Sequence, residues 1–556
     1  MRHTLLNPLL KPSKIGLLAI IPSLYFVIVL IIRTLRGPYW LGLNSDPDYI
    51  YLFNSLNILN FNSPMHTDHP GTPLQMLGAV IIKLVFFIRH FMGYSDSFSL
   101  VEDTLHYPEI YLHSISIILV FFVTFSLFFV GYIAYSLSQN ILLSIILQSP
   151  SLWLVTILEE SNKVSPEPLL LAISQFITIL LLLYLYKSNI EKKKIFAIVL
   201  GGLFGLGMSV KINFLPIILI FFVLPSLKQT VWATLASVSV FVIATLPIRS
   251  RYVRLFEWIF SIATHTSAYG SGEQGLLKFE SLWEYLRTLF SKDTLYFSAF
   301  ILIFLICFLS LLINSLSLKT IDTSSESKQQ SILFSRFTRL SLIIALINLF
   351  QIIITLKNPN ARYLIPAMGL LGMGIFTHIE YFRLLKFKFW QDKHFIAHRF
   401  FPALWVMIFC VISLSSIKTY ITSLSHFYES YYYGEVLKID KIIQSEYSDC
   451  VQINYYRSSS VPYALHFGEG FSGFHFSPVI NKIYPGRFFY NNWSRRYASF
   501  EYLNMTIDDV HLLTQNRCLI LRGTPFTTAG YELYTPDVPL SEIFVGQYEA
   551  AYKILK

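Results

Sequence analysis

The chain has 556 residues, of which 54% are hydrophobic and only 14% are charged, and its formal net charge is +10. Soluble domains carry charge at about a quarter of their positions, so this composition excludes an ordinary water-soluble protein and indicates that most of the chain faces lipid. The excess of positive charge does not indicate nucleic acid binding, because the basic residues collect in short segments between apolar runs. That distribution is the one that orients membrane helices.

In chain order, about eleven apolar runs approach or reach the 17 to 25 residues that cross a bilayer. They cover residues 15–32, 114–136, 141–158, 168–186, 195–210, 212–226, 230–248, 294–316, 340–356, 364–381 and 401–417. A twelfth run, 74–92, contains Lys83, Arg89 and His90. If that run lies along the membrane surface and the N-terminus is inside, the long inner loops are all basic, as the positive-inside rule requires. We therefore predict an all-α polytopic membrane protein with about eleven crossings and its C-terminus outside.

The predicted membrane domain covers residues 1–418, and its first outer loop, 33–113, holds juxtamembrane helices. Residues 419–556 lose the long apolar runs and gain Gly, Pro, Asn, Asp and Ser, which predicts a small extracytoplasmic α/β domain. A helical stretch at 434–447 precedes the strand CVQINYY, and a second strand, CLILRG, follows later. Cys450 and Cys518 open these strands. A disulfide between them is an alternative in an oxidising compartment, but free thiols are the favoured prediction.

With this topology, polar residues from several loops fall on the outer face. They are Asp46, Asp48, His66, Asp68 and His69 in the first outer loop; Glu159, Glu160, Lys163 and Glu167; Lys211 and Asn213; Arg249, Arg251 and Arg254; and Lys357, Arg362 and Tyr363. Charges near hydrocarbon cost about 2–3 kcal/mol each at mid-membrane, so they usually line a cavity or form pairs. Arginine and lysine suit a phosphate, while a carboxylate suits the removal of a proton from a hydroxyl.

The motifs SDPDYIY, HPG, SPEPLLLAIS, VKINFLPIIL and NARYLIPAMGLL occur in this order along the chain. Together they resemble the GT-C superfamily of integral-membrane glycosyltransferases, and most closely its branch of protein O-mannosyltransferases and bacterial aminoarabinose transferases of lipid A. The resemblance covers about residues 15–417. It implies a long first outer loop with juxtamembrane helices and, in many members, an outer C-terminal domain.

The resemblance also implies roles for individual residues. Asp46 or Asp48 corresponds to the acidic position that acts as base or orients the acceptor, and His69 to the histidine of a His-Pro element. The remaining matches are Glu159, Glu160 or Glu167 as the acid before the fourth crossing, and Lys211 and Arg362, with Tyr363 beside the latter, as the residues that hold the donor phosphate. Pro47 separates two acids that are adjacent in the family, so the motif does not identify the base, although Asp48 is favoured.

Each of these residues also has a structural interpretation. Asp46 suits the cap of a helix that starts at the next residue, and Glu159 and Glu160 suit a solvated helix end. His69 suits an interfacial turn, and Arg249 suits contact with lipid headgroups more than catalysis. A divalent cation such as Mn or Mg, held by the acids and histidines of the first outer loop, is an alternative that is not favoured, and the metal content is left open.

The sequence therefore predicts an inverting glycosyltransferase that moves a sugar from a polyprenyl-phosphate donor to a lipid, glycan or protein acceptor on the extracytoplasmic face. The expected location is the bacterial inner membrane, with a cytoplasmic N-terminus and an extracytoplasmic C-terminus. A surface-polysaccharide polymerase or ligase is one alternative. A lipid or glycan flippase is another, which predicts inverted repeats and ionisable residues near the middle of the bilayer. Glycan binding without catalysis also stays open.

Overall fold

A computed structural model describes residues 12–68, 70–95, 97–317, 325–384, 394–491, 494–526 and 538–555. Helices account for most of these residues. They are α1 (Pro12–Leu35), α2 (Ser45–Leu59), α3 (Thr72–Phe91), α4 (Leu100–His106), α5 (Pro108–Ser138), α6 (Ile141–Gln148), α7 (Pro150–Trp153), α8 (Val155–Ser161), α9 (Glu167–Tyr186), α10 (Lys194–Val210), α11 (Leu227–Ala244), α12 (Tyr252–Thr264), α13 (Leu282–Lys292), α14 (Thr294–Ser317), α15 (Ser325–Thr355), α16 (Ile365–Leu384), α17 (His394–Tyr428), α18 (Leu437–Glu446), α19 (Val461–Gly470), α20 (Ser477–Ile483) and α21 (Ile507–Leu513).

The chain is an integral membrane protein by the length and composition of its helices. Within the described residues, eight helices are long and apolar enough to cross a membrane, and up to ten if two bent pairs each count as one span. The predicted class is confirmed, but the predicted count of about eleven crossings is not. Two of the predicted spans, α10 and the 3-10 helix that follows it, Ile212–Val223, are too short to be counted, whereas α3, which was predicted to lie along the surface, is counted.

Several predicted spans are interrupted, and the interruptions have local causes. Leu154 adopts an extended conformation between α7 and α8, and the chain bends there by 67°. Lys211 is likewise extended and ends α10, after which Pro216 lies inside the 3-10 helix. A proline lacks the N–H that an α-helix needs. A break in a helix leaves backbone N–H and C=O groups that need other hydrogen-bond partners, so polar groups gather at these breaks.

Helices α10 and α11 illustrate how the bundle packs. A Cβ atom on Gly201 would lie 2.0 Å from the carbonyl oxygen of Ala233, and one on Gly205 would lie 2.2 Å from that of Ser237. The two glycines are one helical turn apart, so they form a flat strip that lets the backbones approach closely. Substitution of either glycine by a larger residue would force the two helices apart.

Helix α3 matches the twelfth apolar run. Its residues Leu74 and Ile82 are buried, whereas Val80, Phe87 and Phe91 on the other side are strongly exposed. Arg89 near its end forms an ion pair with Asp103 in α4, with 2.8 Å between Nε and Oδ2. The helix is long enough to cross a membrane, so its placement along the surface stays a prediction.

The C-terminal region forms the predicted α/β domain around a six-stranded sheet of order β3-β2-β1-β4-β6-β5. The strands are β1 (Val451–Asn454), β2 (Phe488–Asn491), β3 (Arg496–Ser499), β4 (Leu519–Gly523), β5 (Leu540–Val545) and β6 (Ala550–Ile554). Strand β1 pairs in parallel with β2 and β4, and the other pairs are antiparallel. The predicted strands CVQINYY and CLILRG are confirmed as β1 and β4.

Cys450 and Cys518 form a disulfide, so the prediction of free thiols is wrong. The reason lies in the pairing of the two strands. Val451 lies opposite Leu519 in the parallel register of β1 and β4, which brings the preceding residue of each strand to a Cα–Cα distance of 4.6 Å. Sequence alone does not reveal that the two strands are neighbours.

The helical stretch predicted at 434–447 is continuous with the last membrane helix. Helix α17 leads into a π-helix, Glu429–Val436, and then into α18 without an intervening loop. The domain boundary predicted at residue 419 therefore lies inside a continuous helix that ends at Glu446.

The C-terminal domain packs against α2, the helix that carries the SDPDYIY motif. A Cβ atom on Gly468 would lie 2.8 Å from the carbonyl oxygen of Tyr49. The side-chain amide of Asn57 donates to the carbonyl oxygen of Ser472 at 2.8 Å, and that of Asn54 donates to the carbonyl oxygen of Phe471 at 3.2 Å. The domain thus holds α2 in place from the side opposite the membrane helices.

Glu469 follows Gly468 on α19 and should make the contact between the C-terminal domain and α2 sensitive to pH. The carboxylate accepts from the backbone N–H of Phe476 at 2.6 Å, and burial raises the pKa of Glu469 to about 7. A glutamate in an unfolded chain titrates near pH ~4.3. Between these two values the unfolded state has lost a proton that the folded state keeps, so stability falls as pH rises through this window.

We expect Glu469 to contribute a loss on the order of 2–3 kcal/mol of unfolding free energy between pH 5 and pH 8, since one pKa unit corresponds to about 1.4 kcal/mol. Buried His466, whose pKa is lowered to about 4, contributes in the opposite direction below pH ~6.5, so the Glu469 contribution is the difference in slope between the wild type and Glu469→Gln. Chemical unfolding of the purified protein at several pH values measures this slope. Glu469→Gln should remove the Glu469 contribution, whereas Glu446→Gln, at an exposed helix end, should leave the slope unchanged. The same slope in Glu469→Gln as in the wild type would assign the pH dependence to another group.

Candidate functional site

The loops predicted to lie on the outer face meet at one end of the helical bundle. The first outer loop and the second outer loop, which contains Glu159 and Lys163, are joined by the buried carboxylate of Asp48. This carboxylate accepts from the backbone N–H of Val164. The first outer loop also contacts the break between α10 and the 3-10 helix at Lys211. There the N–H of Gly71, in the HPG motif, donates to the carbonyl oxygen of Val210 at 3.2 Å. Gly71 has a φ of +64°, which a glycine adopts without strain.

The remaining loops join the same assembly. The side-chain amide of Asn213 donates to the carbonyl oxygen of Tyr363 at 3.1 Å, and that of Gln351 donates to the same oxygen at 2.7 Å. Lys292, at the end of α13, forms an ion pair with Glu159 at 3.0 Å. Residues from distant parts of the chain are therefore fixed relative to one another by hydrogen bonds and ion pairs.

The centre of the site is a buried ion pair between Glu167 and Lys211. Lys211 Nζ lies 2.6 Å from Glu167 Oε1, and the two side chains are only 2% and 1% exposed. Glu167 occupies the first turn of α9, where the helix dipole favours a negative charge. Lys211 Nζ also lies 4.7 Å from the centre of the Tyr363 ring. Neither charge could be buried here without the other.

Arg362 adds a second cation to this centre. It lies on the 3-10 helix Ala361–Leu364, whose first turn is capped by the side chain of Asn360. Its guanidinium carbon is 5.3 Å from the centre of the Tyr363 ring. The buried Nε atom of Arg362 has no hydrogen-bond partner among the described residues. A half-buried guanidinium with unused donors next to a neutralised lysine is a site for an anion.

Asp46 and Asp48 have opposite environments. Asp48 is fully buried, and burial raises its pKa, while the nearby charge of Arg36 opposes the shift. Asp46 is exposed and has an extended conformation (φ −104°, ψ 118°) before the regular part of α2, and its bond to Pro47 is cis. Asn44, before the first residue of α2, makes no side-chain capping hydrogen bond, whereas Asp46 has the extended backbone of an N-cap directly before Pro47, so the capping role predicted as an alternative for Asp46 stays a prediction.

Tyr51 connects the acidic and the cationic sides of the site. Its hydroxyl is buried and has no hydrogen-bond partner among the described residues. Burial raises the pKa of Tyr51 well above its ordinary value. The charges of Glu167, Arg362, Asp46 and Asp68 all lie close enough to act on it electrostatically. Tyr51 belongs to the SDPDYIY motif, but no role for it was predicted from the sequence.

The histidine-rich part of the first outer loop is held by α2. Asn54 Oδ1 accepts from the backbone N–H groups of Met65 and His66, at 2.8 and 3.2 Å. His66 and Asp68 are half-buried. His69 lies outside the described residues. In the part of the chain that the structure describes, no group of three or more His, Cys, Asp or Glu side chains comes together as a metal centre would require.

The other predicted site residues belong to the neighbouring loops, and Glu160 acts electrostatically on Lys211 and Arg362. Glu160 is buried and forms an ion pair with Lys163, while Glu159 pairs with Lys292. Arg249 is exposed on the 3-10 helix Leu246–Arg251. The paired carboxylates fix the second loop in place, since each holds a neighbouring cation.

An apolar groove of about 400 Å³ leads away from the cationic centre. Its volume falls within the range of ligand sites, about 300–1,000 Å³. Aliphatic and aromatic side chains form its walls, and basic groups and a tyrosine form its polar end. The lining residues are Lys211, Ile212, Asn213, Leu215, Trp258, Ile259, Ile262, Ala263, Ser267, Tyr269, Leu276, Leu277, Ile353, Ile354, Thr355, Lys357, Asn358 and Tyr363.

One wall of this groove was not predicted from the sequence. It comes from α12 and the turn after it, which contribute Trp258, Ile262 and Tyr269. Only the arginines of this loop were predicted as candidate site residues. Helix α12 has apolar residues on more than one side, with Phe256 and Phe260 exposed and Leu255 buried, and that pattern was the available signal.

Comparison with known proteins gives a likeness of fold and no family match. No protein-family model and no curated protein sequence matches the chain. Two solved structures are similar, the crystal structures of ArnT from Cupriavidus metallidurans bound to undecaprenyl phosphate and in the apo state. For each, the TM-score is 0.48 and the identity 10%, over 96% of this chain and 97% of that chain.

Proposed function

We propose that this protein is a glycosyltransferase that takes a sugar from a polyprenyl-phosphate carrier and transfers it to an acceptor at the extracytoplasmic face of the membrane. The observation that carries the proposal is the apolar groove whose polar end holds Lys211, Lys357 and Tyr363. A long apolar chain with one anionic end has the shape and the charge that such a groove accommodates. The source of that ligand is the bilayer itself.

The cations suit the chemistry of the leaving group. A sugar linked to a polyprenyl phosphate carries one negative charge on the phosphodiester, and a second develops when the bond to the sugar breaks. Lys211 and Arg362 lie where this charge would grow, and fixed cations in a water-poor pocket stabilise developing charge strongly. Because Glu167 already holds Lys211 in place, no reorganisation is needed at that step.

We assign the role of general base to Asp46. Its carboxylate is exposed and can take the proton of an acceptor hydroxyl, whereas Asp48 is buried against the backbone of Val164. Asp48 therefore acts as a positioning residue that holds the second loop. The charges of Asp46 and Arg362 both act on Tyr51, and a base this near to the phosphate cations supports direct displacement of the phosphate with inversion at the sugar carbon. His69 remains a candidate for orienting the acceptor.

The disulfide supports the extracytoplasmic orientation. Disulfides persist in oxidising compartments, and Cys450 and Cys518 belong to the domain that packs against α2. The end of the bundle that carries the site is thus the end that the disulfide-bonded domain covers. The positive-inside distribution of lysine and arginine leads to the same orientation.

The position of the charges favours an enzyme over a flippase. Lys211 follows the last residue of α10, Glu167 begins α9, and Arg362 precedes α16. Transporters place ionisable residues and interrupted helices near the middle of the bilayer, whereas these residues lie at helix ends on one side of the bundle.

The proposal can be tested in cells that lack the gene and carry a plasmid copy. We expect sugar-loaded polyprenyl phosphate to accumulate without the gene, and one surface glycan or lipid to lose a sugar. Ala263→Trp, which fills the groove from α12, should behave like the deletion. Phe260→Trp places the same side chain on the exposed face of that helix and should behave like the wild type. Unchanged lipid-linked sugars and glycans in the deletion strain would refute the proposed function.

A further inference from the structure

Tyr269 occupies a backbone conformation that a tyrosine rarely adopts. It lies in the turn Ala268–Gly270 with φ 57° and ψ 24°, in the left-handed region. Glycines fill the neighbouring left-handed positions, Gly270 at +74° and Gly272 at +89°. A bulky residue at positive φ is a strained exception that the surrounding structure must maintain.

Hydrogen bonds hold this turn in place. The hydroxyl of Ser261, on α12, donates to the carbonyl oxygen of Gly270 at 2.8 Å. The backbone N–H of Ser267 donates to the carbonyl oxygen of Ser271, and that of Thr266 to the carbonyl oxygen of Glu273, both at 2.9 Å. The strained residue is therefore fixed on a rigid turn that is anchored to the groove wall.

The ring of Tyr269 lies where the apolar groove meets the charged centre. It lines the groove together with Tyr363 and Lys211, yet 60% of the residue is exposed. Burial raises the pKa of Tyr269, and the charges of Arg362, Asp46 and Asp68 are close enough to act on it. The ring therefore lines the end of the groove that Lys211 and Tyr363 form.

We propose that Tyr269 forms a sugar-binding subsite, in which its ring packs against the C–H face of the pyranose or furanose carried by the polyprenyl phosphate. The inference rests on the proposed function, because it places the sugar next to the phosphate that Lys211 and Arg362 hold. A sugar ring has an apolar face of C–H groups. Tyrosine offers a flat, rigid contact surface with few rotatable bonds, so little conformational entropy is lost on contact.

The strain supports this role. Glycine at position 269 would relieve the unfavourable conformation, as it does at the neighbouring left-handed positions. Tyrosine at position 269 therefore makes the fold less stable than glycine would, and what it adds is an aromatic ring. Strain of this kind is typical of residues whose geometry serves binding.

A series of variants in the complemented cells tests the subsite. Tyr269→Phe and Tyr269→Trp keep an aromatic ring and should reduce sugar transfer least, by a few fold. Tyr269→Leu keeps an apolar side chain without a ring, and Tyr269→Gly removes it, and both should reduce transfer at least tenfold. Purified Tyr269→Gly should unfold at a temperature no lower than that of the wild type, which separates loss of the subsite from loss of the fold.

A binding measurement separates this inference from the proposed function. Purified wild type and Tyr269→Leu in nanodiscs are titrated with polyprenyl phosphate that carries no sugar, and we expect their affinities to differ less than threefold. Full transfer in Tyr269→Leu, or loss in Tyr269→Phe as severe as in Tyr269→Leu, would overturn the subsite. An equal loss of polyprenyl-phosphate binding and of transfer would also overturn it, since Tyr269 would then be only part of the groove. A wild type that does not bind polyprenyl phosphate would refute the proposed function instead.

Discussion

Replacement of Asp46 by asparagine is expected to lower sugar transfer by about 10²–10⁴-fold, the contribution typical of a general base. The fold should be unaffected, because the side chain is exposed and the amide has the same shape. Transfer in complemented cells and the thermal unfolding of the purified protein measure the two effects separately.

Asp48 provides the matched comparison for Asp46. Asp48→Ala removes the acceptor of the Val164 N–H, and a buried donor without a partner costs about 1–3 kcal/mol. We therefore expect lower stability together with reduced transfer, because the second loop loses its anchor. If Asp46→Asn retained full transfer and Asp48→Asn abolished it without a loss of stability, the two roles would have to be exchanged.

The largest effect on stability is expected at the ion pair of Glu167 and Lys211. Lys211→Met would leave the carboxylate of Glu167 buried and unpaired, which costs about 3–5 kcal/mol. The double variant Lys211→Met/Glu167→Gln removes both charges and should recover most of that loss, because pairs in direct contact are strongly coupled. Transfer should stay low in the double variant, since one of the cations that faces the phosphate is gone.

Thermal unfolding of the purified variants in detergent measures their stability, and sugar transfer in the complemented cells measures their activity. The exposed pair of Lys482 and Glu102, at 3.0 Å, is the control. Lys482→Met should cost less than about 1 kcal/mol, as is usual for surface ion pairs. A double variant with wild-type transfer would show that Lys211 does not hold the phosphate, and a fully stable Lys211→Met would show that the pair does not stabilise the fold.

The site shows why irregular backbone is concentrated at one end of the bundle. Lys211 lies at the break before a 3-10 helix, and Arg362 lies on another 3-10 helix. In a regular α-helix, successive side chains are distributed around the helix axis. At a break the backbone changes direction, so a charged side chain can reach the site that several loops share. The hydrogen bonds of Asn213 and Gln351 to the carbonyl oxygen of Tyr363 satisfy a backbone group freed in this way.

The C-terminal domain contributes to the site through α2. Hydrogen bonds from Asn54 and Asn57 reach the carbonyl oxygens of Phe471 and Ser472, and the same Asn54 holds the backbone of His66. One asparagine thus links the domain, the helix that carries Asp46 and the histidine loop. The pH dependence expected for Glu469 would be transmitted to the site along this connection.

The amino-acid sequence by itself determined the class of protein and the places where charge gathers. Runs of apolar residues and the distribution of lysine and arginine are properties of the chain in one dimension, and they predicted the membrane helices, the α/β domain and its strands β1 and β4. They also predicted that residues such as Asp46, Glu167, Lys211 and Arg362 belong to loops of the same face, and these loops do meet.

Only the tertiary structure decided which of these residues contact one another. Accessibility distinguishes Asp46 from Asp48, although a single proline separates them in sequence. Residues that are far apart along the chain come together in three places. These are the Glu167–Lys211 pair, the Cys450–Cys518 disulfide and the groove wall that ends in Tyr269. Such contacts depend on the packing of helices and the order of strands, which hydropathy and spacing do not encode, and the chemistry of the site depends on them.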